Sequence, residues 1–462
     1  MRSCSTGGAE TDTAKLLPSP SIKIVNMTET PSLTAASVRT ARIGRCPNVP
    51  QTIGELGLPP SMPIDLSLRY LREHNTGTLT SLRKALKLSL PIADWVFQQL
   101  RQQQLVDVKG TVGNDYVFAL TALGRGLAVE RSTCRYTGPA PVPLDQYCAV
   151  VQLQGHSIPA TPEQVRTAMC DLVLRDDLME QLGAALVSGK PIFMYGPTGN
   201  GKTSIIERLP RLFTDTILVP YCLEVDGHII SIFDPAIHLP QEVDADETVD
   251  QRWIRCHRPC VIASGELVAE SLSLWLDETS GVYAAPQQMK AQNGILLIDD
   301  FGRQAISPRQ LFNRWILPLD RHVDHLSLRY GYTFRVPFEI SLVFSTNLEP
   351  TDLADDAFLR RVPNKVHVAP ITADAFDRIF ELVLKAYGLP FDPDLAAYLR
   401  ELCRENGAAT LRGCFPADIC SILASLAAFE GKPFAVSRQS LARAARAYFV
   451  QPSSGPAASE PA

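Results

Sequence analysis

Hydrophobic residues recur at helical spacing over the segment that begins at Ile64 and ends near Leu105. This spacing predicts three successive helices, the third of which begins near Ile92. Apolar and polar residues then alternate on both sides of residues 110–114, which predicts a β-hairpin. The pattern therefore predicts a small α+β domain over residues 60–135.

Longer apolar runs, each followed by polar residues, lie farther along the chain at 191–195, 294–298 and 342–346. A continuous apolar run is typical of a strand buried on both faces, as in a parallel sheet covered by helices. Residues 371–450 have a helical period. The pattern predicts an α/β domain with a parallel sheet over residues 161–370 and a helical domain after it.

Three segments lack a sustained apolar period. Residues 1–58 are rich in Ser, Thr, Pro and Gly and cannot bury enough apolar surface to offset the entropy of ordering, so we predict a flexible tail. Residues 451–462 are predicted to be a disordered end. Prolines cluster between residues 136 and 143, and because proline fixes φ and removes a donor, residues 136–160 are predicted to form a semi-rigid connector.

The composition favours a globular, cytoplasmic chain of several domains. A length of 462 residues suggests two or three domains, and 45% hydrophobic with 20% charged residues is sufficient for packed cores. The sequence contains neither an apolar run as long as a membrane span nor a signal core at its beginning. The net charge of -5 gives no overall basic surface, and 11 scattered cysteines favour reduced thiols.

Cys256, His257 and Cys260 lie close together in sequence and have side chains that zinc prefers. A structural zinc site uses four ligands, usually as two spaced pairs, and the sequence has no second pair at a suitable distance. We therefore expect these three residues to be ordinary packing residues.

The strongest chemical signal is a glycine-rich motif that follows the first apolar run. It has the pattern Gly, four residues, Gly-Lys-Ser/Thr, between a predicted strand and a predicted helix. The glycines let successive backbone N–H groups point at phosphate oxygens, and the helix N-terminus adds partial positive charge. We expect Lys202 to contact the β- and γ-phosphates and Thr203 to bind Mg²⁺. The predicted nucleotide-binding residues of this motif are Gly196, Pro197, Thr198, Gly199, Asn200, Gly201, Lys202, Thr203 and Ser204.

Two acids, Asp299 and Asp300, follow the second apolar run. Charges at the carboxyl end of a parallel strand lie where ligands bind. Asp299 is predicted to hold the Mg²⁺ shell, and Asp300 to orient or deprotonate the attacking water. Alone, the pattern also suits a strand that runs into a polar loop, but together with the glycine-rich motif it indicates a site for Mg-ATP.

In this order, the glycine-rich motif and the acidic strand resemble those of AAA+ ATPases over residues 161–450. The resemblance implies a P-loop NTPase sheet, a helical C-terminal lid, ATP hydrolysis and a homo-oligomeric, commonly hexameric ring. Asn347 ends a strand that matches the sensor-1 strand and would hydrogen-bond the γ-phosphate or the water. The segment that ends in Arg360 and Arg361 is similar to the arginine-finger segment, with Arg361 the first choice for the finger and Arg360 the second.

Residues 324–336 alternate on both sides of Tyr330 and Gly331, which predicts a second β-hairpin. A hairpin before the sensor-1 strand resembles the insertion found in the AAA+ branch of MoxR-type ATPases, magnesium chelatases and replicative helicases. Such hairpins commonly face the pore of the ring, so the resemblance implies a contact with the substrate. The long interval before Asp299 indicates a further insertion, predicted at residues 265–288.

The chain departs from the family pattern at two positions. Most members have Glu after the metal-binding Asp, whereas the shorter Asp300 suits slow hydrolysis, and Glu266 is a remote alternative. The resemblance implies a sensor-2 arginine in the lid, but Ala417 occupies the expected position and Arg412 is the alternative. The resemblance also implies adenine contacts from residues 171–174. The apolar side chains of this segment are equally compatible with packing in a hydrophobic core.

The N-terminal α+β domain resembles winged-helix domains, which share its ending of Leu120, Thr121 and Gly124. Many winged helices place the third helix in a DNA major groove, but here that helix, residues 91–102, has few cations. DNA binding, protein contact and structural packing are all compatible with this domain.

Together these features predict a cytoplasmic AAA+ ATPase that uses Mg-ATP in a ring to remodel a protein partner, which the sequence does not identify. One alternative is a DNA-associated regulator or motor anchored by residues 60–135. Another is an ATP-binding assembly switch with little hydrolysis, which Asp300 and Ala417 would suit.

Overall fold

The computed structural model describes residues 47–449 except 114, 132–133, 157, 159, 242–248, 354–355 and 407–409. Most of the predicted tail at residues 1–58, and the whole of the predicted end at 451–462, therefore lie outside the described residues. In the described part of that tail, Ile53–Leu56 form a helix and Leu56 and Leu58 are buried in the core, so these residues do not form a flexible tail. The described chain forms two compact units, residues 47–370 and residues 371–449.

The first unit begins with a small α+β region. Its elements are the helices α1 (Ile53–Leu56), α2 (Ser61–His74), α3 (Leu79–Leu86), α4 (Leu90–Gln102) and α5 (Ala122–Glu130), and the strands β1 (Thr76–Thr78), β2 (Val106–Val112) and β3 (Asp115–Leu120). They include the three helices and the hairpin that the sequence predicts, and β1 completes an antiparallel sheet in the order β1-β3-β2. Side-chain caps from Thr78 and Thr121 begin α3 and α5.

The rest of this unit contains the central sheet and its additions. Its helices are α6 (Leu144–Gln154), α7 (Pro162–Ala168), α8 (Asp176–Val187), α9 (Lys202–Ile206), α10 (Gln287–Lys290), α11 (Pro308–Arg321), α12 (Pro350–Leu353) and α13 (Asp356–Leu359). Its strands are β4 (Val142–Pro143), β5 (Ile192–Tyr195), β6 (Thr216–Pro220), β7 (Cys222–Val225), β8 (His228–Ser231), β9 (Trp253–His257), β10 (Cys260–Ala263), β11 (Trp275–Asp277), β12 (Val282–Ala284), β13 (Ile295–Ile298), β14 (Val323–Ser327), β15 (Thr333–Pro337), β16 (Ser341–Thr346) and β17 (Asn364–His367).

Five parallel strands form the central sheet, in the order β10-β13-β16-β5-β17. Both faces are covered, which explains why β13 consists of four consecutive buried aliphatic residues. All five strands end at the same edge, so the polar residues that follow β5, β13 and β16 are brought together there. The predicted α/β fold with a parallel sheet is confirmed.

Residues along each strand alternate between the two faces of this sheet. Val343 of β16 and Leu297 of β13 pack in the buried cluster that contains Ile205 of α9, whereas Phe344 of β16 packs in the cluster that contains Trp315 of α11. The face on which a residue lies can therefore be read from its neighbours in the strand.

The predicted connector at residues 136–160 is packed into the unit. Ala140 and Val142 are fully buried, β4 pairs with β7, and α6 buries Tyr147 and Val151. A strand of two residues has too little pattern to be recognised in sequence, which is why the prolines alone suggested a spacer.

The chain between Lys202 and Asp299 contains more added structure than the predicted insertion at residues 265–288. The hairpin β11–β12 lies within that range, but the strands β6 to β9 precede it. The added strands form a second sheet in the order β11-β12-β8-β7-β4 and a pair, β6-β9. The strands β6 to β9 were not predicted, and they lie outside the range that was chosen for the insertion.

The strands β14 and β15 form the hairpin predicted around Tyr330 and Gly331, with Ser327 opposite Thr333. Its apolar side chains, among them Leu326 and Phe334, pack in the same buried cluster as β7 and β8. The side chain of Tyr330 at the tip is 81% exposed. The base of the hairpin is thus part of the core, and its tip faces solvent.

The second unit consists of helices, as its period predicts: α14 (Ala373–Ala386), α15 (Pro393–Glu405), α16 (Phe415–Phe429) and α17 (Arg438–Tyr448). They share a core that includes the fully buried Phe376, Phe380 and Leu441. In the part of the chain that the structure describes, no helix is both long and apolar enough to cross a bilayer.

Candidate nucleotide site

The glycine-rich motif forms the loop between β5 and α9, as its sequence predicts. Gly196, Gly199 and Gly201 have φ values of 138°, 78° and 83°, which L side chains rarely adopt. A Cβ atom at Gly196 would also lie 2.2 Å from the carbonyl oxygen of Val368. The curl of this loop therefore requires glycine, and the loop leads into the N-terminus of α9, where backbone N–H groups can face an anion.

The side chain of Lys202 is held over this loop. Its Nζ donates to the carbonyl oxygens of Gly196 at 2.8 Å and Pro197 at 3.0 Å, and the residue is 9% exposed. Burial lowers the pKa of Lys202, while the nearby Asp299 and Asp300 carboxylates oppose that shift. An ammonium group fixed by two carbonyls beside two acids is positioned to meet the phosphates of a nucleotide.

Thr203 and Asp299, which are 96 residues apart in sequence, meet at the edge of the sheet. Thr203 Oγ1 donates to Asp299 Oδ2 at 2.8 Å. The other carboxylate oxygen of Asp299 accepts from the backbone N–H of Asp300 at 3.0 Å. Hydroxyl and carboxylate oxygens are the ligands that Mg²⁺ prefers, so this donor set fits the predicted cation.

Asp300 is exposed and has a left-handed backbone, with φ of 48°. Aspartate tolerates this conformation better than most residues, because its short polar side chain can hydrogen-bond locally. This conformation, which was not predicted from the sequence, turns the chain directly after Asp299 at the end of β13.

Asn347 follows β16 at the same edge of the sheet. Because Thr346 pairs with Tyr195, Asn347 comes next to the start of the glycine-rich loop at Gly196. Its Oδ1 atom is buried, and among the described residues it has no hydrogen-bond partner. A buried amide oxygen without a partner is costly unless a ligand or water binds it, which fits a role in orienting water or phosphate.

Arg361, the first choice for an arginine finger, is paired within its own chain. Its Nε and Nη2 donate to the two carboxylate oxygens of Asp320 on α11 at 2.8 and 2.9 Å. This contact lowers the pKa of Asp320. The neighbouring Arg360 is exposed. Sequence reasoning missed Asp320, since nothing in the chain indicates that α11 lies beside α13.

The remaining candidates are placed as follows. Arg412 lies in the helical unit with its guanidinium 5.7 Å from the ring centre of Phe415, and Ala417 is exposed on α16. Glu266 follows β10 and accepts from Ser264 Oγ at 2.6 Å.

In the segment implied for adenine, Asp171 is bound by two arginines. Its carboxylate accepts from Arg208 at 2.9 Å and from Arg211 at 2.7 Å. Leu172 and Leu174 pack partly buried against the core. The structure thus gives this segment a packing role that needs no nucleotide.

Cys256 and His257 lie next to each other on β9, so their side chains point to opposite faces. Cys256 is buried and His257 is exposed, and burial raises the pKa of the Cys256 thiol to about 12. Within the described ranges, no three His, Cys, Asp or Glu side chains are grouped as for a metal ion.

The fold and the site together have the organisation of a P-loop NTPase: a parallel sheet, a glycine-rich loop between β5 and α9, and an acid, Asp299, at the end of β13, which is separated from β5 by β16. A family model described as "Domain of unknown function (DUF8689)" matches residues 372–447, within the helical unit. No curated protein matches the chain.

Three solved structures have a similar fold in part. NtrX from Brucella abortus is 14% identical with a TM-score of 0.36, and the match covers 64% of this chain and 56% of that one. A Thermotoga maritima RuvB mutant is 10% identical with a TM-score of 0.33, covering 63% and 71%. The T. maritima RuvB Holliday junction branch migration motor is 10% identical with a TM-score of 0.34, covering 59% and 68%. The chain spans only about half of NtrX, and likenesses this distant do not indicate what it does.

Proposed function

We propose that the chain is an AAA+ ATPase that binds Mg-ATP at the edge of the parallel sheet and hydrolyses it in a ring of identical subunits. The observation that supports this most is the hydrogen bond between Thr203 and Asp299. It joins the glycine-rich loop to the acidic strand, and these are the two groups that a phosphate-bound Mg²⁺ requires.

In this proposal each residue of the site has a separate task. The loop N–H groups and Lys202 bind the phosphates, and Thr203 and Asp299 hold Mg²⁺, which would neutralise charge on the phosphate oxygens. Asp300 orients or deprotonates the attacking water, and Asn347 fixes the position of the water through its buried Oδ1.

In the proposed ring, Arg361 acts in the active site of the neighbouring subunit. An arginine supplied to the γ-phosphate stabilises the charge of the transition state.

The exposed tip of the β14–β15 hairpin, at Tyr330, is the proposed contact for a protein client. Residues 60–135 are proposed to be winged-helix-like and to contact a protein. Binding of DNA there has less support, because the exposed positions of α4 include Asp94, Gln98 and Gln102 and few cations.

The test is phosphate release by the purified full-length chain with Mg-ATP, measured together with its mass in solution with and without nucleotide. We expect turnover that depends on Lys202 and Arg361, and assembly that depends on ATP. A chain that neither binds nor hydrolyses Mg-ATP would refute the proposal.

A second candidate is an assembly switch that binds ATP and hydrolyses little. It is favoured by Asp300, whose carboxylate is one methylene shorter than the glutamate usual at this position, and by Ala417 at the expected place of a sensor-2 arginine. ATP-dependent assembly without phosphate release would select the switch, and steady hydrolysis by the unmodified chain would exclude it.

A further inference from the structure

Ser345 is a buried serine whose hydroxyl is not explained by the fold. The residue is 1% exposed, and no described residue lies within hydrogen-bonding geometry of its Oγ. A buried hydroxyl without a partner costs about 1–3 kcal/mol in mutational series, whereas alanine in a packed strand carries no such cost. The stability of the fold therefore does not explain why this position has a serine.

The alternation of β16 shows which way Ser345 points. It lies two residues after Val343, which packs with Ile205 of α9, and it pairs with Met194, which belongs to the same cluster. Phe344 and Thr346 point to the opposite face, where Thr346 Oγ1 donates to the carbonyl oxygen of Phe301. The Ser345 side chain thus lies on the face of α9 and the glycine-rich loop.

The sheet register places Ser345 beside Asp299. Ile298 pairs with Phe344, so the next position in each strand brings Asp299 level with Ser345. The regular ladder ends there, but the chain after Asp299 stays against β16, because the N–H of Phe301 donates to the carbonyl oxygen of Ser345 at 2.7 Å. Ser345 therefore lies between the metal-binding carboxylate of one neighbouring strand and the start of the phosphate loop on the other.

We propose that Ser345 is a positioning residue of the nucleotide site, whose hydroxyl gains its hydrogen bond when Mg-nucleotide is bound. The proposal rests on the proposed function and extends it to a residue outside the recognised motifs. A serine hydroxyl both donates and accepts, so it can bond to the Asp299 carboxylate or to a water of the Mg²⁺ shell. Either bond fixes the orientation of Asp299, and the two have the same consequence for Mg²⁺ binding.

The experiment uses the full-length chain and thermal unfolding with a non-hydrolysable ATP analogue, at Mg²⁺ concentrations from zero, with chelator, to saturation. For Ser345→Ala we expect the nucleotide-free chain to unfold at the same temperature or a higher one. We expect the Mg²⁺ concentration that gives half-maximal stabilisation to rise about tenfold, as for a lost hydrogen bond to a charged group. Stabilisation by the analogue in chelator should not change.

Two further variants provide the controls. Ser341 lies at the other end of β16, and its Oγ donates to the carbonyl oxygen of His156 at 3.0 Å. Ser341→Ala should lower the unfolding temperature of the free chain and leave the Mg²⁺ dependence unchanged. Ser345→Thr keeps the hydroxyl and should restore the Mg²⁺ dependence of the unmodified chain.

The outcomes separate this inference from the proposed function. If the unmodified chain is not stabilised by Mg-nucleotide, the proposed function itself fails. If it is stabilised and Ser345→Ala has the same Mg²⁺ dependence, the role of Ser345 is wrong and the proposed function stands. Loss of folding in Ser345→Ala also contradicts the inference, because it would mean that the hydroxyl already stabilises the free chain.

Discussion

Lys202 is held in place by the loop. Its two hydrogen bonds to loop carbonyls fix the ammonium at 9% exposure, so little side-chain entropy is left to lose when phosphate binds. We predict that Lys202→Ala weakens binding of Mg-ATP at least tenfold and abolishes phosphate release, as measured by calorimetry and a phosphate assay.

The matched control for Lys202 is Lys190→Ala, since Lys190 is an exposed lysine just before β5. It should leave both measurements unchanged. Normal nucleotide affinity in Lys202→Ala would contradict the assignment of the glycine-rich loop.

A substitution at Asp300 can test the role of its carboxylate without disturbing the backbone. Asparagine, like aspartate, tolerates the left-handed φ of 48° found here, whereas alanine would strain the turn. We expect Asp300→Asn to lower phosphate release at least tenfold, because general bases contribute roughly 100-fold or more, while nucleotide affinity and the unfolding temperature stay the same. Turnover at the original rate would mean that another group, such as Glu266, acts on the water.

At the scale of single residues, the sequence could predict only those placements that follow from local chemistry. The meeting of Thr203 and Asp299 is predictable because the glycine-rich motif and an acid after a buried strand both belong at the carboxyl edge of a parallel sheet. The pair of Arg361 with Asp320, the backbone of Asp300 and the placement of Ser345 are not. Each depends on which segments become neighbours, and no pattern within one segment records that.

The helix α11 connects three parts of the first unit. Its Ser307 cap and Pro308 define where it begins, and Trp315 anchors it in the core. Arg314 donates to the buried Asp324 at the base of the β14–β15 hairpin, and Asp320 binds Arg361. A single helix thus contacts both the proposed client hairpin and the proposed arginine finger.

The pair of Arg361 and Asp320 must open if Arg361 is to reach a neighbouring subunit. The Asp320 side chain is 40% exposed, and exposed ion pairs contribute only about 0.2–1 kcal/mol. We therefore expect Asp320→Asn to raise phosphate release by the assembled chain by a factor of about 1.4 to 5, which corresponds to such an energy.

Asp352→Asn, at an exposed aspartate on α12, is the control for this effect and should not change turnover. A fall in phosphate release in Asp320→Asn would show that the contact holds Arg361 in its working position and does not restrain it.

Prediction succeeded for the elements that have a strong local pattern and failed for those defined by their partners. The hairpin at Tyr330 and Gly331 alternates over ten residues of paired strand, and its turn has a glycine with φ of 90°. By contrast, β4 has two residues and pairs with β7, more than 70 positions away. A strand this short forms only because it pairs with a neighbouring strand of the sheet.

At the scale of the whole first unit, the N-terminal region and the added sheet share one core. Cys222 and Ile229 of the added sheet pack in the same cluster as Leu66 and Phe118. Arg252, which is 1% exposed, donates to the carbonyl oxygens of Leu56 at 3.3 Å and of Pro141 at 2.9 Å.

The buried ion pair of Arg252 with Asp250 lies at this junction, with side chains 1% and 2% exposed. Removing one partner of a buried pair leaves an uncompensated charge, which costs about 3–5 kcal/mol. We expect Arg252→Met to lower the free energy of unfolding by about 3 kcal/mol or more, as measured by denaturant titration. Gln251→Ala, at the exposed neighbour, should change it by less than about 0.5 kcal/mol.

If Arg252→Met is as stable as the unmodified chain, the junction does not depend on this pair. The control makes the comparison specific, since both substitutions lie in the same short segment and differ mainly in burial.

The shared core also bears on how motion would pass through the protein. Two domains joined by a spacer can turn independently, so a rotation of one is lost as slack in the linker. Here Ala140 and Val142 of the connecting segment are buried, and the N-terminal region is packed against the added sheet. We therefore expect the N-terminal region to move together with the added sheet, so that a load held by one would be transmitted to the other.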